Sequence, residues 1–157
     1  MRKKIYGIIW EEQLQRGVAA EISQALMEEV YTTPKPGLVD REDTGAHTDM
    51  NCQTFQKSTE AIAEDLAAMF VAGYSWEAAP ETLFPLLRER GKKTEEKMFA
   101  ATGGVNTHKG IIFTIGILAT AAGISLRNFG TIESEDVCRI SLETVSYTHL
   151  TLPTTSR

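Results

Sequence analysis

The sequence predicts an all-α protein, a bundle of several helices. Three observations carry this expectation. Apolar residues recur at spacings of three and four, no segment alternates strictly between apolar and polar, and the β-branched residues are scattered. With 157 residues, 42% apolar and 24% charged, the chain can bury one real core and has the composition of a soluble globular domain.

Leu14, Val18, Ile22, Ala25, Leu26 and Val30 line one face of a first helix. It should stop near residues 31–33, because Pro34 disfavours helical backbone in the residue before it. Residues 33–48 form a polar loop with two prolines and two glycines. Asp49 is the expected N-cap of a second helix, with Ile62, Leu66, Met69 and Phe70 inward and Gly73 as its stop. A third helical region begins around Pro80, places Leu83, Leu86 and Leu87 on its apolar side, and ends in Arg88-Glu89-Arg90 before Gly91. A short helix over 93–101 leads to Gly103-Gly104. The fourth long helix starts at Asn106 or Thr107 and ends at Gly123, with apolar residues around almost its whole circumference, as befits the centre of a bundle. Ser134 caps a fifth, with Val137, Ile140 and Val145 inward.

Residues 146–157 break this pattern, with four threonines, two serines, no acidic residue and no helical period. They resemble a translated sequencing-adaptor tail and are set aside from fold reasoning; a genuine disordered tail is the alternative. The expected organisation is therefore residues 1–145 as the N-terminal part of an all-α domain, itself incomplete, followed by a non-native tail that interrupts a running helix.

The net charge of −5 argues against a general nucleic-acid binder but permits a small polyphosphate ligand held by local cations. Cys52 and Cys138 are far apart and in no metal-ligand spacing, so a reducing cytoplasm is expected. The basic start is followed by an apolar stretch, residues 5–10, too short for a signal peptide. The twelve apolar residues of 111–122 fall short of the roughly 20 that a membrane span needs, and no membrane association is expected.

Two polar segments carry the chemistry. Residues 102–110 read Thr-Gly-Gly-Val-Asn-Thr-His-Lys-Gly directly before an apolar helix. Gly103 and Gly104, the capping pair Asn106 and Thr107, and Lys109 in a first helical turn are the parts of an anion site, where free backbone N–H groups and the helix dipole hold phosphate oxygens. A structural joint explains the glycines and the caps equally well. It does not call for His108 and Lys109 at the positive end of a helix, where a cation costs roughly 0.3–1 kcal/mol unless an anion offsets it. The other segment, residues 33–50, supplies Lys35, Gly37, Asp40, His47 and Asp49. Taken alone it reads as a rigid turn with a surface ion pair and a solvated histidine.

Glu29-Val30, then Thr-Pro-Lys-Pro-Gly-Leu-Val-Asp over 33–40, then Gly-Ala-His-x-Asp-Met over 45–50, then Gly-Val-Asn-Thr-His-Lys-Gly over 104–110 resemble the triphosphoribosyl-dephospho-coenzyme-A synthase family. The likeness runs from about residue 25 to 123. Asp43 stands where the family often has Asn, and the family's downstream half, with further glycine-rich and acidic motifs, has no counterpart here.

The resemblance implies a reaction of ATP with 3′-dephospho-coenzyme A that joins the 5-triphosphoribosyl group to the coenzyme and releases adenine. The product is the precursor of the prosthetic group of the citrate lyase acyl carrier protein, handed to a holo-acyl-carrier-protein synthase; relatives serve malonate decarboxylase. A glycosyl transfer at C1′ requires the triphosphate to be gripped uncleaved, positive charge at C1′ to be stabilised, and protons to be moved at the attacking hydroxyl and the leaving adenine. On that basis Asp40 and Asp49 are expected to hold Mg²⁺. Lys35, Lys109, Gly37, Gly103, Gly104, Asn106 and Thr107 are expected at the nucleotide. Glu29, Asp40 or Asp49 would stabilise C1′, and His47 or His108 would act as base or acid because histidine titrates near neutrality. The alternatives are a metal-dependent α-helical nucleotide hydrolase and an inactive nucleotide-binding fragment.

Overall fold

The computed structural model describes residues 2–150, with side chains from 9 to 146. Five α-helices follow one another: α1 Arg2–Tyr31, α2 Cys52–Tyr74, α3 Phe84–Thr102, α4 Lys109–Phe129 and α5 Ser134–Leu150, with a 3₁₀ turn, Pro80–Leu83, leading into α3. No strand occurs among the described residues, so the all-α expectation holds. Ile62, Leu66, Met69, Leu83, Met98 and Ile140 are almost fully enclosed and form the centre of the core.

Helix α1 ends where Pro34 required: the Thr32 N–H and hydroxyl both fold back onto the Glu28 carbonyl, at 3.0 and 2.9 Å. The cap of α2 is Asn51, not Asp49. Asn51 Oδ1 accepts the Thr54 N–H at 3.1 Å, and Thr54 Oγ1 accepts the Asn51 N–H at 3.2 Å. A reciprocal box needs a polar side chain three residues on. Asn51 has Thr54 there, whereas Asp49 has Cys52.

Glycine misled the element boundaries three times. Gly73 does not stop α2, which runs to Tyr74, and Gly123 does not stop α4, which runs to Phe129 and closes on Gly130 at φ 74°. These two glycines instead let the helices cross backbone to backbone. A Cβ on Gly73 would strike the Thr120 carbonyl, and one on Gly123 the Phe70 carbonyl. Gly91 does not divide α3 either. The single helix is tied to α2 on both sides of it, by Arg90 Nη1 on the Ala68 carbonyl at 2.9 Å and Lys97 Nζ on Asp65 Oδ1 at 2.7 Å. Such ties outweigh the roughly 1 kcal/mol that a helical glycine costs.

Helix α4 begins at Lys109, two or three residues later than expected, and 18 consecutive residues of its 21 have a mean hydropathy of 1.7. By length and composition alone it could cross a membrane, so the twelve-residue argument against a span does not stand. Its contacts are those of a core helix: the glycine crossing, and the buried Thr120 hydroxyl donating to the Met69 and Gly116 carbonyls at 3.2 and 2.8 Å. It is not enclosed all round, since Phe113 and Leu118 are exposed. Leu83 at the end of the 3₁₀ turn and Leu87 in α3 are buried as expected, while Leu86 faces outward. Helix α5 continues through Ser146 to Leu150, so no break occurs at the start of the suspected tail; residues 151–157 lie outside the described residues.

Candidate functional site

The loop between α1 and α2 is organised by one side chain. Asp40 is 5% exposed, and its carboxylate accepts three backbone N–H groups: Glu42 at 2.8 Å and Asp43 at 3.1 Å on Oδ1, Lys35 at 3.0 Å on Oδ2. Those bonds, from Asp43 foremost and then Glu42 and Lys35, hold its carboxyl below the usual carboxylate range. The Cys52 thiol donates to the Asp40 carbonyl at 2.8 Å, joining the loop to the first turn of α2. Gly37, at φ 80°, and Gly45, at φ 57°, cross so closely that a Cβ on Gly45 would strike the Gly37–Leu38 backbone. Only glycine fits that contact.

Lys35 points back to the end of α1. Its Nζ donates to the Glu29 carbonyl at 2.8 Å and to Glu29 Oε1 at 3.1 Å, a favourable place for a cation because the last helical carbonyls carry partial negative charge. The Arg41 guanidinium sits 4.7 Å above the Tyr31 ring and fastens the loop to α1 a second time.

His108 occupies the N-cap position of α4 and is 2% exposed. Its Nδ1 lies 2.7 Å from Ser58 Oγ, and Thr107 Oγ1 donates to that same Ser58 oxygen at 2.7 Å. Phe55 meets the imidazole edge-on at 5.1 Å, and Met98 Sδ accepts the His108 backbone N–H at 3.1 Å. Burial pushes the imidazole down to about 4, with the nearby Glu29 charge pulling the other way. His108 is therefore neutral at pH 7 and does not titrate near neutrality. The two expectations resting on its charge, a cation at the helix start and a histidine poised at physiological pH, are both corrected by enclosure in apolar surroundings.

The remaining expected residues divide. Gly103 and Gly104 end α3: both are in the left-handed region, at φ 68° and 92°, and both N–H groups donate to the Phe99 carbonyl. They are spent on the helix end and not free for phosphate. Asn106 Oδ1 accepts the Lys109 N–H at 3.3 Å, which leaves Gly110 and Ile111 as first-turn N–H groups without an intrahelical acceptor. Lys109 Nζ pairs with Glu95 Oε1 at 2.7 Å, so the anion that offsets this cation belongs to the chain itself. Its side chain borders a groove of about 460 Å³ between α3 and α4, lined by the buried Leu87, Ile112 and Ile117 and the exposed Phe113, with Arg88, Lys92 and Glu95 also along it. His47 Nδ1 and Asp49 Oδ1 stand 3.8 Å apart in the open part of the loop.

The fold thus brings Glu29, at the end of α1, within electrostatic reach of the ring of His108, 79 positions on in sequence, and Lys35 from the Asp40-pinned loop is paired with that same Glu29. The residue the sequence reading missed is Ser58, fully buried. Its signal was present: Ser58 stands four residues before Ile62 and eight before Leu66, a hydroxyl on the apolar stripe of α2.

Among the described residues no group of three His, Cys, Asp or Glu gathers to hold a metal ion. Of the two carboxylates expected at Mg²⁺, Asp40 has both oxygens engaged by N–H groups, whereas Asp49 has only the 3.8 Å contact with His47. Mg²⁺ binds through one or two carboxylates together with substrate phosphates. Asp49 fits that requirement and Asp40 does not.

Residues 15–148 match the family model of the ATP:dephospho-CoA triphosphoribosyl transferases, CitG. The chain belongs to this family. It is 43% identical over 122 residues to the 2-(5''-triphosphoribosyl)-3'-dephosphocoenzyme-A synthase of Klebsiella pneumoniae, covering 77% of this chain and 40% of the relative. To the probable synthase of Streptococcus pyogenes serotype M28 it is 38% identical over 148 residues, 91% of this chain and 50% of the relative. To that of Photobacterium profundum it is 48% identical over 100 residues, 63% of this chain and 32% of the relative. The chain therefore spans half or less of the length of these curated relatives. No solved structure matches it.

Proposed function

We propose that this chain carries the nucleotide-handling part of a transferase that moves the 5-triphosphoribosyl group of ATP onto 3′-dephospho-coenzyme A and releases adenine. The observation that carries the reading is that Glu29, ion-paired with Lys35 from the loop pinned by Asp40, acts on the buried His108 from the other polar segment. The name of the relatives, 2-(5''-triphosphoribosyl)-3'-dephosphocoenzyme-A synthase, supports the substrate pair. In this reading the product is the prosthetic-group precursor for citrate lyase, delivered to a holo-acyl-carrier-protein synthase in the cytoplasm. The two unpaired cysteines suit a reducing compartment.

The demands of the chemistry assign parts. Lys35 and the N–H groups of Gly110 and Ile111 grip phosphate oxygens. Glu29, whose carboxylate is more than half exposed, would stabilise positive charge developing at C1′. Asp49 would hold Mg²⁺, which screens the triphosphate charge. Asp40 shapes the loop beneath them. The half-exposed His47, beside Asp49, is the group placed to exchange protons with solvent and with the attacking hydroxyl. The apolar groove beside Lys109, with its cationic rim, suits the extended arm and diphosphate of the coenzyme substrate.

Adenine release, followed by liquid chromatography with ATP and dephospho-coenzyme A, tests the reading. Adenine is expected only with both substrates and Mg²⁺, and not in EDTA. Pyrophosphate or inorganic phosphate without adenine would identify a hydrolase. Absence of turnover by folded protein would place essential groups in the part of the relatives that this chain does not span.

A further inference from the structure

His108 has two ring nitrogens, and the fold engages only one. Nδ1 lies 2.7 Å from Ser58 Oγ, while Nε2 has no hydrogen-bond partner among the described residues. A serine hydroxyl owns a single hydrogen. Thr107 Oγ1 donates its own hydrogen to Ser58 Oγ at 2.7 Å, and among the described residues the Ser58 hydrogen has no acceptor but Nδ1. A ring nitrogen that accepts carries no proton, so in a neutral imidazole the proton sits on the other one.

We propose that Thr107 and Ser58 form a one-directional relay that fixes His108 as its Nε2–H tautomer, and that His108 meets bound nucleotide as a hydrogen-bond donor, not as a proton-accepting base. The donor half of this inference rests on the reading that ATP binds here. The surroundings support it independently. The neighbours on α2 and α3 are Phe55, Ser58 and Met98, all uncharged, and Glu29 is the charged group that acts on the ring. A ring 2% exposed among such neighbours stays neutral through the physiological range, so its one hydrogen is available for donation without a change of charge. The matching ligand atom carries a lone pair: a purine ring nitrogen or a phosphate oxygen. Ser58 and Thr107 are positioning residues, acting on the nucleotide only through the imidazole.

Long-range ¹⁵N–¹H NMR of the full chain reads the tautomer directly. At neutral pH His108 Nε2 is expected to be protonated and Nδ1 unprotonated. In Ser58→Ala the ring loses the hydroxyl that donates to Nδ1, so a mixture of tautomers is expected while circular dichroism stays unchanged. A protonated Nδ1 in the wild type, or a tautomer unmoved in Ser58→Ala, overturns the relay. Addition of ATP should shift the Nε2 resonance. Adenosine reproducing the shift assigns the acceptor to the purine, and inorganic triphosphate reproducing it assigns the acceptor to phosphate. ATP that binds by calorimetry yet leaves Nε2 unmoved overturns the donor role. ATP that does not bind at all removes the functional reading and the donor role together, while the tautomer result still decides the relay.

Discussion

His108 and Lys109 are adjacent in the chain and live in different environments. His108 is buried, neutral and held by the hydroxyls of Ser58 and Thr107. Lys109 is exposed, charged and paired with Glu95 on the rim of another groove. One peptide bond separates a residue of the core from a residue of the surface, because the start of α4 is where the chain turns from loop to helix and the two side chains leave in different directions. A motif contiguous in sequence therefore serves two places, and its members should answer differently to perturbation.

The largest difference is expected in stability. His108→Ala empties a site enclosed by Phe55, Ser58 and Met98 and should cost roughly 2–4 kcal/mol in urea unfolding, against no more than about 1 kcal/mol for Lys109→Ala, an exposed pair. Equal losses would erase the distinction between the two environments.

Acid should sharpen it. The His108 value is lower folded than unfolded, so the unfolded state binds the extra proton; the contribution is complete above about 6.5 and is lost as pH falls toward about 4. A decline of up to about 3 kcal/mol across that window follows, and it should be absent in His108→Gln while persisting in Lys109→Ala. A decline common to both variants would assign it to other groups.

Thr107→Val removes one buried-side hydrogen bond and should cost about 1 kcal/mol, read as a lowered urea midpoint at constant slope. The smallest stability effect belongs to Lys109→Ala, whose consequence should instead be functional: weaker dephospho-coenzyme A binding by calorimetry with unchanged helix content. Unaltered affinity would remove Lys109 from the coenzyme groove.

The helices themselves were legible because hydrophobic period is a property of neighbours along the chain. The ends were not. Gly73, Gly91 and Gly123 look identical in a sequence, yet two let α2 and α4 touch backbone to backbone and the third is carried by ties on either side. What a glycine does depends on what approaches it, and that is long-range information. The same limit applied to the site. Residue types at 33–50 and 104–110 declared polyphosphate chemistry, but the charge state of His108 is set by residues from α1, α2 and α3, and the occupation of Gly103 and Gly104 by the end of α3. Asp40 shows the difference most simply: a carboxylate beside an arginine reads as a ligand or a surface pair, and it proved to be the fastening of a loop.

The crossing of α2 and α4 has a mechanical meaning. Where carbonyls rest directly on glycine Cα atoms there is no side-chain layer to slide or repack, so the two helices behave as a single strut. Ser58 belongs to one of them and His108 to the start of the other, so the hydroxyl and the imidazole it meets are carried by one frame.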